Sequence, residues 1–274
     1  MFAAAENDLA TRNLTPRIGT EVKASKALLL SGRGKRQLLS LLEERGTVLL
    51  PQVNMTDDEQ LAFTRTLGPL VEEQRIHKIS LDTVVNPNAD YTKGAFYWHI
   101  DGTTLQAPMH IGLLSCRRRS PVGGETEVCN TYAAYDELRE ADKQLLEGLQ
   151  VVHMFEAAQR YVTPEPSYTM LTAWRKIPSK TLPLVWTHRS GRKSLVLGST
   201  AAYIEGMSLQ DSWELLVRMR DWATQPQFCY RHTWSEGDML LWDNTGTMHR
   251  ALDYPQDSGR LMHRSQINGD EPVV

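Results

Sequence analysis

GAFYWHIDGTT, residues 94–104, sets a histidine and an aspartate two positions apart in a run of aromatic and β-branched residues. On a strand, side chains at i and i+2 point to the same face, so His99 and Asp101 would reach one interior space. The pair alone does not decide between two ligands for one metal and a hydrogen-bonded pair in an ordinary core. With 8 histidines and 33 acidic residues in 274 positions, about one H-x-[DE] match arises by chance. Any further parts of a site have to come from the rest of the chain.

Working outward, strand candidates recur at 47–50, 79–85, 95–100, 110–116, 125–130, 151–155, 184–188, 194–197, 228–234, 239–243 and 260–267. Helical patterning is confined to four places. Leu38, Leu41 and Leu42 share a face before Arg45-Gly46, and Thr56-x-x-Glu59 is a capping box for a helix ending near Gly68-Pro69. Residues 132–149 and 208–222 also carry the helical period, the latter with Leu209, Trp213, Leu216 and Met219 as its expected buried stripe. Strands outnumber helices and do not alternate with them as a doubly wound fold requires. The expected fold is mainly β with flanking helices, a jelly-roll core in one domain over 1–274. The irregular stretches near 85–95 and 163–179, the second holding Pro164, Pro166 and Pro178, are expected to be long loops that serve as active-site lids.

A net charge of −3 offers no general attraction for nucleic acid or an acidic membrane. The basic run Arg117-Arg118-Arg119 stands without interleaved aromatics and reads as a solvated loop or subunit contact. Three cysteines without close spacing, Cys116, Cys129 and Cys229, suggest reduced thiols. The N-terminus lacks the basic start and apolar run of a signal peptide, and no segment approaches the roughly 20 apolar residues of a membrane span. Cytoplasmic residence is the expectation.

A third ligand is best supplied by WDNTGTMHRA, 242–251, where a strand meets a turn at Asn244-Thr245-Gly246 and His249 follows. Two imidazoles and one carboxylate form the facial triad of non-haem Fe(II) oxygenases, which leaves adjacent coordination positions open. In GRLMHRSQ, 259–266, period two puts Arg260, Met262 and Arg264 on one face, with His263 opposite as a structural residue. Inward-facing arginines are costly without anions. An open iron site beside a buried guanidinium suits a dicarboxylate that chelates metal at one end and meets arginine at the other, which is 2-oxoglutarate.

These segments make a family visible. The sequence resembles the TauD/TfdA family of Fe(II)/2-oxoglutarate-dependent dioxygenases over nearly its whole length. The resemblance runs through RIGTEV (17–22), RGTVLLPQ (45–52), LAFTRTLGPL (61–70), YWHIDGTT (97–104), PVGGETEV (121–128), THRSGRKSLVLG (187–198), WDNTGTMHRA and GRLMHR. It implies a double-stranded β-helix core, with Fe(II), 2-oxoglutarate and O2 as cofactor and cosubstrates. It further implies His99, Asp101 and His249 as iron ligands, Arg260 as the clamp on the distal carboxylate of 2-oxoglutarate, and Thr126 as its hydroxyl partner. Arg264 matches a position that holds an anionic substrate group in some members, the alternative being support of Arg260. Phe155 matches a substrate-pocket aromatic, against the plainer reading of a core phenylalanine. His77 sits where the family places substrate-facing residues, against that of a solvated loop histidine. Ala95 stands where the taurine enzyme has a polar side chain, within the aromatics Tyr91, Phe96 and Tyr97. A larger or more apolar substrate than taurine is implied, with Tyr97 among its candidate contacts. The intact Asp101 implies hydroxylation or a hydroxylation-derived outcome, because halogenating relatives lack this carboxylate. A homodimer or homotetramer is expected by family habit.

Two other readings use the same residues. A zinc hydrolase would share the three ligands but leaves Arg260 and Thr126 without a role. A non-catalytic carboxylate-binding jelly-roll sensor would need no turnover. An AlkB-like nucleic-acid demethylase is opposed by the acidic charge balance.

Overall fold

The computed structural model describes residues 9–72 and 75–274; residues 1–8, read above as unlike a signal peptide, lie outside the described residues. The central strands alternate between two cores. In Met239–Asp243, Met239 and Leu241 pack with Leu38, Leu42 and Phe63, while Leu240 and Trp242 pack with Val128 on the other side. The same split separates Ile111 and Leu113 from Leu114 and Cys116, and Val48 and Leu50 from Leu49. A one-residue slip would exchange the faces, so burial on both sides fixes the register.

These strands lie in a seven-stranded sheet ordered Ala10–Asn13, Thr20–Lys23, Thr47–Leu50, Met239–Asp243, Ile111–Arg118, Leu261–Ile267, His77–Ile79. All its pairings are antiparallel except that of Thr20–Lys23 with Thr47–Leu50. Helices Lys35–Arg45 and Asp57–Leu67 cover one face. The capping box forms as expected, Thr56 Oγ1 accepting from Glu59 N at 3.2 Å and Glu59 Oε2 from Thr56 N at 2.8 Å. The other face packs on a three-stranded sheet of Cys229–His232, Thr126–Asn130 and Thr247–Ala251 through Val128. Beyond that sheet, Cys129 and Met248 join a third cluster with helix Leu209–Ala223. Two packed, largely antiparallel sheets with helices outside give the jelly-roll architecture. Among the described residues no helix is long and apolar enough to cross a membrane.

Several expected elements differ. Residues 95–100 do not form a strand: Lys93–Phe96 is a 3-10 helix, and only His99 makes a bridge, to His249. The aromatics there are held by separate tertiary contacts, Phe96 edge-on to Tyr254 and Tyr97 donating to the Tyr161 carbonyl at 2.8 Å, instead of lining a ladder. The 79–85 strand reduces to His77–Ile79, because Asp82 Oδ1 accepts from Val84 N at 2.9 Å and turns the chain. The 132–149 helix is two, Thr131–Asp136 and Glu140–Leu146, parted where Leu138 enters the core and Arg139 is extended. In Leu209–Ala223 the buried stripe is Ser212, Leu215, Leu216, Met219 and Ala223; Leu209 and Trp213 are exposed. Within 163–179 lies a helix, Tyr168–Trp174, capped by Ser167, and Ala89–Thr92 interrupts the earlier loop.

Candidate active site

Asp243 ends an inner strand and organises the turn after it. Its Oδ1 accepts from Thr245 N at 3.0 Å and Thr245 Oγ1 at 2.6 Å, and its carbonyl accepts from Thr247 Oγ1 at 2.7 Å. Gly246 passes so close to the Tyr132 ring that a Cβ would lie 1.7 Å from a ring carbon, so only glycine fits. Asn244 reaches across to the other segment. Its Oδ1 accepts from Asp101 N at 2.9 Å, and its Nδ2 donates to Asp101 O at 3.0 Å and Met109 O at 2.8 Å. The turn that launches the His249 strand therefore also fixes the backbone of Asp101. His99 is tied to that strand by reciprocal backbone bonds with His249 at 3.1 and 3.0 Å. Gly198, at φ +113°, lets a neighbouring segment pass; a Cβ there would stand 3.0 Å from His99 Cα.

These anchors bring one ligand atom each from His99, Asp101 and His249 within 4.8 Å of one another. His99 Nε2 lies 3.8 Å from Asp101 Oδ1, and His249 Nε2 lies 3.7 Å from Asp101 Oδ2. His99 Nδ1 is 2.8 Å from the Tyr97 carbonyl, which can only accept. The proton must sit on Nδ1, leaving the Nε2 lone pair for a metal. Burial, with His99 alongside, lowers the His249 pKa well below the usual imidazole value, which favours the neutral ring. For Asp101 burial acts to raise the pKa, but the positive charge of Arg264, aided by the Gln266 hydrogen bond, outweighs it and lowers the carboxyl pKa. An ionised carboxylate and two imidazoles that turn Nε2 toward it fit a divalent metal with open positions.

Two cavities meet at this cluster. One, of about 270 Å3, is bordered by His99, His249, Thr126, Trp242 and Arg260. Arg260 is 3% exposed, donates through Nε to Gly124 O at 3.1 Å and lies over the Tyr254 ring at 4.6 Å. Among the described residues no carboxylate forms an ion pair with it, although Asp101 pairs with Arg264 at 3.6 Å. Gly124, at φ +78°, leaves the room this guanidinium needs, since a Cβ would stand 2.9 Å from Arg260 Cδ and Nε. Thr126 Oγ1 accepts from Trp234 Nε1 at 3.1 Å, which leaves its own hydroxyl proton available. The second cavity, of about 400 Å3, is bordered by Asp101, Tyr91, Leu105, Phe155 and Ile177. Arg264 borders both.

The structure thus gathers His99, Asp101, His249, Thr126, Arg260 and Arg264 around one space. Phe155 stacks near Tyr91, ring centroids 6.1 Å apart, on the wall of the larger cavity, so it is not a core phenylalanine. His77 borders the smaller cavity and meets Glu72 at 3.0 Å. Tyr97 borders neither; its ring packs on Tyr161 at a separate groove. His263 is a buried structural residue whose Nδ1 meets Asp57 Oδ1 at 2.7 Å. The sequence reading missed Asn244, although it quoted the residue as a turn former. Gln266 was missed too, although it continues the period-two row of Met262 and Arg264.

The taurine catabolism dioxygenase TauD, TfdA family model matches residues 10–266. The chain is 31% identical over 259 residues to the alpha-ketoglutarate-dependent 2,4-dichlorophenoxyacetate dioxygenase of Cupriavidus pinatubonensis, covering 87% of this chain and 90% of that one. It is 28% identical to the alpha-ketoglutarate-dependent sulfate ester dioxygenase of Pseudomonas putida, covering 97% and 91%. The crystal structure of AAD-2 in complex with Mn(II) and N-oxalylglycine superposes with a TM-score of 0.85 at 30% identity, covering 97% of this chain and 100% of that one. These similarities give no support to the zinc-hydrolase or sensor readings. The chain belongs to the TauD/TfdA family and is a dioxygenase dependent on Fe(II), 2-oxoglutarate and O2.

Proposed function

We propose that His99, Asp101 and His249 hold Fe(II), that Arg260 and Thr126 hold the distal carboxylate of 2-oxoglutarate, and that the enzyme hydroxylates a small anion with an apolar body. The observation that carries this reading is Arg260: a buried guanidinium that pairs with no carboxylate among the described residues, bordering the same cavity as His99 and His249. Such a group calls for an anionic ligand, and its planar fork matches a carboxylate. Bound Fe(II) supplies O2 activation coupled to oxidation of 2-oxoglutarate to succinate and CO2, which places oxygen in a substrate C–H bond.

The chain's own residues do the rest. The Tyr97 carbonyl and the Asn244 amide orient His99 and Asp101, while Arg260 anchors the cosubstrate away from the larger cavity. That cavity supports an aromatic or branched apolar body between Tyr91, Phe155 and Ile177, with Arg264 at its edge for the anionic end. The relatives that act on 2,4-dichlorophenoxyacetate and phenoxypropionate agree with this chemistry. His77, which pairs with Arg264 across adjacent strands, is a second candidate for the anionic end.

Succinate formation with Fe(II) and 2-oxoglutarate, measured across aryloxyalkanoates, alkyl sulfates and taurine, tests the substrate class. An aryloxyalkanoate is expected to outrun taurine, and Arg264→Leu to raise its KM about 30-fold or more, as loss of a buried charge contact would. Equal turnover of neutral aryl ethers would contradict the role of Arg264.

We further propose that 1–274 acts as one catalytic unit, which is supported by the sharing of one sheet between Thr47–Leu50 and Leu261–Ile267. The free thiols Cys116, Cys129 and Cys229 support a reducing, cytoplasmic setting. The exposed Leu209 and Trp213 support assembly as a dimer or tetramer.

A further inference from the structure

Asp101 offers two oxygens, and the chain treats them differently. Oδ2 accepts from Gln266 Nε2 at 2.8 Å and also faces Arg264 Nη1 at 3.6 Å and His249 Nε2 at 3.7 Å. Oδ1 accepts no hydrogen bond among the described residues, and His99 Nε2 lies 3.8 Å from it. Gln266 reaches Oδ2 because of its strand position. It follows Met262 and Arg264 at period two on Leu261–Ile267, and its cross-strand partner is Gly112. Gly112 has no side chain to compete, and the space above it is filled by the Trp242 indole, 2.3 Å from where a Cβ would stand. Gln266 is 8% exposed, so its amide has little water as an alternative partner.

We propose that Gln266 is a positioning residue for the metal site: it takes up Oδ2 of Asp101 and leaves Oδ1 as the single oxygen offered to the metal. The inference rests on the reading of His99, Asp101 and His249 as ligands. Its physical basis is coordination number. A carboxylate free to bind through both oxygens would occupy an extra position at a centre that must keep adjacent positions open for cosubstrate and O2. A neutral amide suits this task, because it donates to the carboxylate without cancelling the charge the metal needs. Groups that hold metal ligands in this way typically govern metal affinity by 10–100-fold.

The test is Co(II) binding to metal-free protein, followed by its visible d–d spectrum without 2-oxoglutarate or O2, in wild type, Gln266→Met and His249→Ala. Gln266→Met keeps length and bulk but removes the donor. The expected result is a Co(II) dissociation constant raised about 10-fold or more with an altered d–d band, while the metal-free thermal midpoint stays at the wild-type value. If Gln266→Met does not fold, Gln266→Asn carries the test, since it keeps an amide one methylene too short to reach. Wild-type affinity and spectrum in the folded variant would overturn the role of Gln266 alone. If wild type fails to bind one Co(II), or His249→Ala binds it equally well, the ligand assignment itself falls.

Discussion

Arg260→Ala is expected to raise the 2-oxoglutarate concentration for half-saturation about 100-fold or more, equivalent to roughly 3 kcal/mol, without a matching loss of fold stability. The two halves of this expectation have one cause. Arg260 is buried; its Nε donates to the Gly124 carbonyl, its guanidinium lies over the Tyr254 ring, and among the described residues no carboxylate forms an ion pair with it. Under the proposed role, removing it takes away the charge that compensates the desolvated distal carboxylate. It also relieves the metal-free protein of a guanidinium held out of water, whose pKa burial already lowers. Arg260→Lys should recover only part of the affinity, because an ammonium lacks the planar fork. Titrations of 2-oxoglutarate against succinate formation, with urea unfolding of the metal-free protein alongside, measure both halves. A large stability loss with unchanged half-saturation would mark Arg260 as structural.

Asp101→Ala is expected to cost more, at least about 100-fold in Fe(II) affinity and activity down to background. Loss of a group that merely supports a ligand already costs 10–100-fold, and here a ligand and its charge are lost together. The backbone of residue 101 should stay in place, because Asn244 bonds its N–H and C=O and not its side chain. Equilibrium metal binding and coupled succinate formation measure the effect. Retention of stoichiometric, tight Fe(II) would remove Asp101 from the ligand set.

How far the site was legible depends on how local its signals are. The row Arg260, Met262, Arg264 could be read because period two is set by the backbone, and the structure keeps Met262 and Arg264 facing the same interior. His99 and Asp101 were rightly joined, but not for the strand reason. Residue 99 makes a single bridge and residue 101 lies in a turn, and it is Asn244, 143 positions from Asp101, that brings them into register. Contacts of that kind leave no periodic trace. The stripe on Leu209–Ala223 held at Leu216 and Met219 but failed at Leu209 and Trp213, because the packed face is rotated toward Ser212 and Leu215. Hydrophobicity alone does not say which of two adjacent stripes meets the core. The jelly roll was read correctly because it depends on the number and order of strands, which survived errors at 79–85 and 95–100.

The decisive measurement is an anaerobic titration of metal-free protein with Fe(II) and then 2-oxoglutarate, followed by visible absorption. A weak charge-transfer band that saturates at one equivalent of Fe(II), and shifts to much higher 2-oxoglutarate in Arg260→Ala, is the expected result. Folded, iron-loaded protein that shows no band at any 2-oxoglutarate concentration would contradict the assignment of His99, Asp101 and His249 with Arg260 as the iron and cosubstrate site.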